Sequence, residues 1–482
     1  MQMPTETSAR DEALCFLSAT DAAARIRSKD LSPVELMDAV LRRIEALNPR
    51  LNAFTLVHAD EAREQARAAE AAVTRAGSSS AEPPLGPLHG VPVSVKDSVP
   101  FQGKPSTNGS RLLRDNIAQE DGPIATRIAA AGAIVVGRTN LPEFAWRGST
   151  DNRLFGETKN PWNLGRTSGG SSGGAGAAVA AGLAPLAIGT DGAGSIRIPA
   201  SFCGIVGHKP SFGRVPFFPS PGPNELAAHA GPMTRTVRDA ALFLDVLAGP
   251  DERDRFSLPA TDENYLATCE EGVRGWRVAW SPDLGHIPVD PEVRGIVEEA
   301  ARAFTEVGCE VVEPDLGLPD PEPILAVLYP SVQAAGHHWR SPEQHAEMDP
   351  GLVAIAARGA EFSAVDVGRA MAARSAYWDR MCRAFETFDV LVTPTISVPA
   401  FETGIVGPTE VDGTPIVHLA WTLAYPFNLT GQPAITVPCG FTSDGLPVGL
   451  QIVGRRHADA AVLRAAAAFE AARPWADRRP PL

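Results

Sequence analysis

Residues 91–97 read Val-Pro-Val-Ser-Val-Lys-Asp, and the fold follows from this stretch. Val91, Val93 and Val95 share one face and Ser94 and Lys96 fall between them, the period-two pattern of a β-strand. Downstream, Ile124–Ala131 has helical spacing and Ala133–Val136 is a short buried strand. Strand, helix and strand in that order predict parallel pairing and an α/β fold. Further strand-like segments follow at Leu186–Ile188, Trp276–Trp280, Cys309–Val312, Asp389–Pro394, Pro433–Pro438 and Val448–Gly454, and a closing helix spans Asp459 to Ala472.

On the amino-terminal side the pattern is helical. Ser32 is placed to cap a helix, Pro33 suits its first turn, and Glu35 stands where a capping box needs an acid. Val34, Met37, Val40, Leu41, Ile44 and Leu47 form its apolar stripe. A second helix, Ala59 to Arg75, is rich in Ala, Glu and Arg and is expected on the surface. Gly77–Pro87 is a turn-rich connector and a candidate boundary. The expected divisions are 1–86, a helical segment packed on the core; 87–250, the core; 251–385, an inserted subdomain or substrate lid, in which Asp290 caps a helix; and 386–482, the rest of the core sheet.

Composition narrows the function classes. The chain has 482 residues, 44% apolar and 21% charged, within the globular range. Glycine (44) and proline (43) are enriched without a collagen period, so they mark loops. A net charge of −14 argues against nucleic-acid and anionic membrane partners. Six cysteines (15, 203, 269, 309, 382 and 439) show no CxxC or metal-ligand spacing, so a reduced, cytoplasmic chain with no metal or cofactor is expected. The first sixteen residues lack the basic and apolar regions of a signal peptide, and Ala175–Ile188 is too short and too weakly apolar to span a membrane.

Two glycine-serine elements can carry chemistry. In Ser168–Gly176, SGGSSGGAG, the run is readable as a flexible linker. A phosphate cradle fails, because no Lys-Ser/Thr follows at the required spacing. Gly169 to Gly173 also fit the G-x-S-x-G elbow, but a turn sequence precedes them instead of a strand. Ser171 is therefore a better supporting residue than nucleophile. In Gly189–Ala200, GTDGAGSIRIPA, a strand ends, small residues turn, and a helix can begin. The backbone N–H groups of Gly192, Ala193, Gly194 and Ser195 can converge there as an oxyanion site, with the Ser195 hydroxyl beside them. A capping serine in a glycine-rich turn is the plainer alternative.

A serine hydroxyl needs a base. The histidines share no common spacing with either element. Lys96 closes an apolar strand, where desolvation lowers its pKa and leaves a neutral amine, although a solvated strand end is the default for lysine.

PLHGVPVSVKD, GGSSGG and GTDGAGSIRIPASFCGIVGHKPS, in that order, resemble the amidase signature family of serine hydrolases. The spacing agrees: Lys96 lies 75 residues before Ser171, and Ser195 lies 24 after it. Nearly the whole chain shares this character, except the first dozen residues, much of 251–385 and the last few. The resemblance implies one large domain, a mixed central sheet of about a dozen strands wrapped by helices. It also implies a Ser–cisSer–Lys triad: Ser195 as nucleophile, Ser171 beside a cis Gly170–Ser171 peptide as relay, and Lys96 as base. Ala193, where many members carry Gly, and Ser168, where Pro is frequent, are departures.

The implied activity is hydrolysis of a small-molecule carboxamide through an acyl-serine intermediate, with carbamates, ureas and esters chemically adjacent. The glutaminase subunit of a tRNA-dependent amidotransferase shares these motifs, but it tends to carry Gln where Ile198 stands. A catalytically inactive binding homologue is the other alternative. Phe144, Trp146, Phe155 and Gly170 are expected near the substrate, and Tyr329, His337, His338 and Trp339 in its lid. No arginine stands out as a carboxylate clamp, so neutral, apolar or aryl amides are the expected substrates. The expected partner is that small molecule alone, with a homodimer compatible.

Overall fold

The computed structural model describes residues 9–75, 84–220, 222–224 and 227–482. Most of the Gly77–Pro87 connector, and the start of the stretch read for a signal peptide, lie outside the described residues.

Among the described residues, eleven strands form one mixed sheet. In chain order they are β1 (Phe54–Val57), β2 (Pro92–Lys96), β3 (Ile134–Thr139), β4 (Leu186–Asp191), β5 (Val206–Lys209), β6 (His229–Thr234), β7 (Arg277–Trp280), β8 (Glu310–Val312), β9 (Val390–Pro394), β10 (Ala434–Phe441) and β11 (Pro447–Gly454). Their spatial order is β1-β3-β2-β4-β6-β5-β10-β11-β9-β7-β8. β2 runs parallel to β3 and to β4, with Val93 opposite Leu186 and Val95 opposite Ile188. β4, β6, β5, β10, β11 and β9 then pair antiparallel in succession. β7 and β8, from the divergent region, extend the edge in parallel with β9.

β2 departs from the expected alternation. All five of its residues are buried, so both faces of this central strand are covered, one of them by the helix Gly173–Ala180. Lys96 is therefore 0% exposed, which the period-two pattern alone did not require.

Helix α1 (Pro33–Leu51) starts at Ser32, whose hydroxyl accepts the N–H groups of Val34 at 3.1 Å and Glu35 at 3.2 Å. The Glu35 carboxylate pairs with Arg10. Helix α2 (Ala59–Arg75) is not a free surface helix: Ala62, Ala66, Ala69 and Val73 are buried, and it packs on β3. Helix α3 (Gly173–Ala180) consists of Gly, Ala and Val and is wholly buried against β2, β3 and β4. Residues this small let the helix axis approach the sheet closely. Helix α4 (Arg197–Cys203) follows the turn after β4 and is also buried. Asp290 caps α5 (Pro291–Glu306), accepting from the N–H groups of Glu292 and Val293. Helix α6 (Glu322–His337) belongs to the divergent region, and α7 (Asp459–Ala472) closes the chain. Lys96 and Asp191 are the last residues of two adjacent parallel strands, the end of an α/β sheet where sites form.

Candidate active site

Lys96 Nζ lies 2.7 Å from Ser171 Oγ, 2.9 Å from Ser172 Oγ and 2.9 Å from Thr190 Oγ1. Burial drives its pKa down to about 7, opposed by the negative charge of Asp191. A neutral amine has two N–H donors and one lone pair. Ser172 directs its own hydroxyl hydrogen to the Thr190 carbonyl at 3.2 Å, so it receives an N–H from Lys96. With Thr190 Oγ1 receiving the second N–H, the amine lone pair is left facing Ser171.

Ser171 follows a cis Gly170–Ser171 peptide. A Cβ at Gly170 would stand 2.8 Å from the Ser149 backbone, so the chain passes there only as glycine. Thr150 Oγ1 donates to the Gly169 carbonyl at 2.8 Å and accepts the Gly173 N–H at 3.2 Å, fixing both sides of the serine pair.

Ser195 lies across the same cavity wall. The Ser172 N–H donates to the Ser195 carbonyl at 3.1 Å, tying the two serine elements together. Ser171, Thr190, Asp191, Gly192, Ala193 and Ser195 all line one cavity of about 430 Å³.

Of the four expected oxyanion donors, Gly194 is otherwise engaged: its N–H donates to Asp191 Oδ1 at 2.7 Å. The N–H groups of Gly192, Ala193 and Ser195 have no partner among the described residues. The left-handed backbone of the turn falls on Gly194 (φ +112°), which leaves Ala193 unstrained.

Asp191 organises this turn. Its carboxylate accepts from Gly194, from the Ile196 N–H at 3.1 Å and from Asn428 Nδ2 at 2.8 Å, and it pairs with Arg197. Burial pushes the carboxyl up, but Arg197 outweighs it and holds the group below the ordinary carboxylate range. Arg197 is held in turn by the Ala424 carbonyl at 2.8 Å, Gln451 Oε1 at 2.7 Å and Asn428 Oδ1 at 2.6 Å. Sequence reasoning missed Ser172, Thr190 and this network. The doubled serine and the polar strand end Thr190-Asp191 were the available signals.

The structure brings Phe144, Trp146, Tyr329 and His337 to the cavity wall. Phe155, His338 and Trp339 are not on it: the Phe155 carbonyl accepts from Asn52, and Trp339 is 69% exposed. Gly170 supports Ser171 without lining the cavity. Arg147 does line it, with Nη2 paired to Asp151 at 2.9 Å. Among the described residues no cluster of His, Cys, Asp or Glu could hold a metal ion, and no helix is long and apolar enough to cross a membrane.

The amidase family model matches residues 35–463. The chain belongs to the amidase family. It is 44% identical to an acylamidase from Rhodococcus erythropolis over 98% of both chains. It is 36% identical to a glutamyl-tRNA(Gln) amidotransferase subunit from Synechococcus sp. over 94% of this chain and 92% of the relative. A bacterial aryl acylamidase of the amidase signature family superposes with a TM-score of 0.90, at 35% identity, over 97% of this chain and 99% of that one. The single α/β domain is the amidase fold, with eleven strands where about a dozen were expected.

Proposed function

We propose that this amidase-family enzyme hydrolyses a neutral small-molecule carboxamide, an acyl or aryl amide, through an acyl-serine intermediate. The observation that carries the reading is the buried Lys96 amine, 2.7 Å from Ser171 Oγ with its other two hydrogen-bonding positions satisfied. In this reading Ser195 attacks the substrate carbonyl as Ser171 takes its proton and passes its own to neutral Lys96. The N–H groups of Gly192, Ala193 and Ser195 hold the oxyanion that forms. The proton returns through Ser171 to the departing amine, the C–N bond breaks, and water repeats the sequence on the acyl-enzyme. Residues 87–250 supply this chemistry, 386–482 and 1–86 frame it, and 251–385 shape the substrate lid.

The aromatic wall of Phe144, Trp146 and Tyr329 supports aryl or apolar amides, and the names of the acylamidase relatives point the same way. The Asp151 partner of Arg147 disfavours use of that arginine to bind a substrate carboxylate. The test is a panel of anilide, aliphatic amide, carbamate, ester and glutamine with the purified chain, alongside fluorophosphonate labelling. Hydrolysis of an anilide or aliphatic amide with label on Ser195 is expected. Turnover of glutamine alone would instead support the amidotransferase reading, and absence of labelling would remove the acyl-serine step.

A further inference from the structure

Helix α6 presents Tyr329, Gln333 and His337 to the active-site cavity at intervals of four residues, one helical face. Their polar atoms are not in the same state. The Tyr329 hydroxyl donates to the Trp146 carbonyl and is satisfied within the protein. His337 Nδ1 accepts from Arg340 Nε at 3.4 Å, which places the ring hydrogen on Nε2. Nε2 has no partner among the described residues and is not sealed from solvent, and the same holds for the Gln333 amide. Gln333 and His337 keep 9% and 8% of their surface exposed, and both line the cavity.

Polar groups buried this deeply are almost always paired. Two such side chains, one turn apart on the wall of the substrate cavity and without a protein partner for these atoms, are placed to meet a ligand. The imidazole is neutral, since burial above all, helped by the nearby Arg340 charge, lowers its pKa to about 4. It faces the cavity as a donor without charge. Its ring packs on Phe144 at 4.6 Å, so its direction is fixed.

We infer that Gln333 and His337 form a polar subsite that reads a neutral hydrogen-bond acceptor, a carbonyl or ether oxygen, on the substrate away from the scissile bond. The inference rests on the amide-hydrolase reading above. A substrate bearing the acceptor pairs with both residues, whereas an alkyl analogue of the same shape leaves two buried polar groups unpaired.

The experiment compares anilides in which the acyl half or the aryl half carries acetyl against isopropyl, or methoxy against ethyl. In one half, kcat/KM for the acceptor-bearing substrate should exceed that of its alkyl isostere by about tenfold or more. His337→Leu and Gln333→Leu should each pull that ratio toward one. If His337→Leu does not fold, the Gln333→Leu ratio decides. A wild-type ratio near one in both halves, or a ratio unchanged in the variants, overturns the subsite while the hydrolase reading stands. A preference for a carboxylate over the neutral acceptor overturns it too. Absence of turnover of every substrate, alkyl isosteres included, overturns the hydrolase reading and the subsite with it.

Discussion

Asp191 grips Arg197 with both carboxylate oxygens, Oδ2 to Nε at 3.0 Å and Oδ1 to Nη2 at 3.1 Å, and both residues are fully buried. The same Oδ1 fixes the Gly194 N–H, so one ion pair determines the shape of the turn that carries Ser195.

Asp191→Asn should therefore harm fold and turnover together. Removing one partner leaves the Arg197 charge buried without compensation, a loss of about 3–5 kcal/mol. Thermal melting would register it as a clear drop in Tm. The folded-state pKa of Asp191 is depressed, so its contribution is complete above the ordinary aspartate range and is lost on acidification. The stability gap between wild type and variant should accordingly be constant above about pH 5 and narrow below pH 4. A gap independent of pH in acid would contradict the depressed pKa.

Lys96 shows a linkage of the same sign in a higher pH window. Its pKa falls to about 7 in the folded chain, against about 10.4 unfolded. Between those values the unfolded chain binds more protons, so stability contributed at this site rises with pH from about 7 to 10. Chemical denaturation of wild type and Lys96→Met should show a gap that is flat below about pH 7, with the wild type then gaining relative to the variant by roughly 1.4 kcal/mol per pH unit up to about pH 10. In parallel, kcat/KM should climb about tenfold per unit below pH 7 and level off above it. Lys96→Arg, which has no neutral form, should be as inactive as the methionine variant.

The two serines should separate kinetically. Ser195→Ala should lose both turnover and fluorophosphonate labelling. Ser171→Ala should keep its labelling site but react about 10²–10⁴ times more slowly. Labelling lost in Ser171→Ala and intact in Ser195→Ala would reverse the assigned roles.

Gly194→Ala tests the turn itself. At φ +112° a side chain is strained, and its Cβ would come within 2.9 Å of Ala424 Cβ. A loss of about 1–3 kcal/mol, read from a denaturation midpoint, should accompany a large fall in kcat.

Much of the architecture could be read from local pattern. The strand of Val91, Val93 and Val95, the closing helix at Asp459–Ala472 and the caps at Ser32 and Asp290 all rest on near-neighbour chemistry, and each is present. Helix α2 resists such a reading because its buried stripe is alanine, which scarcely differs in hydropathy from an exposed face. The environment of Lys96 was only half legible: its strand was visible, but the layers covering both faces come from distant segments. Asn428 and Gln451, which hold the Asp191–Arg197 pair, lie 237 and 254 residues from their partners, and no periodicity carries that information.

Because Lys96 and Asp191 end neighbouring parallel strands whose register is set by main-chain hydrogen bonds, the base and the anchor of the Ser195 turn owe their spacing to the ladder. Helix α6 can then exchange its inward side chains without shifting the nucleophile, so one inherited reaction can be redirected to new molecules by drift in a single wall.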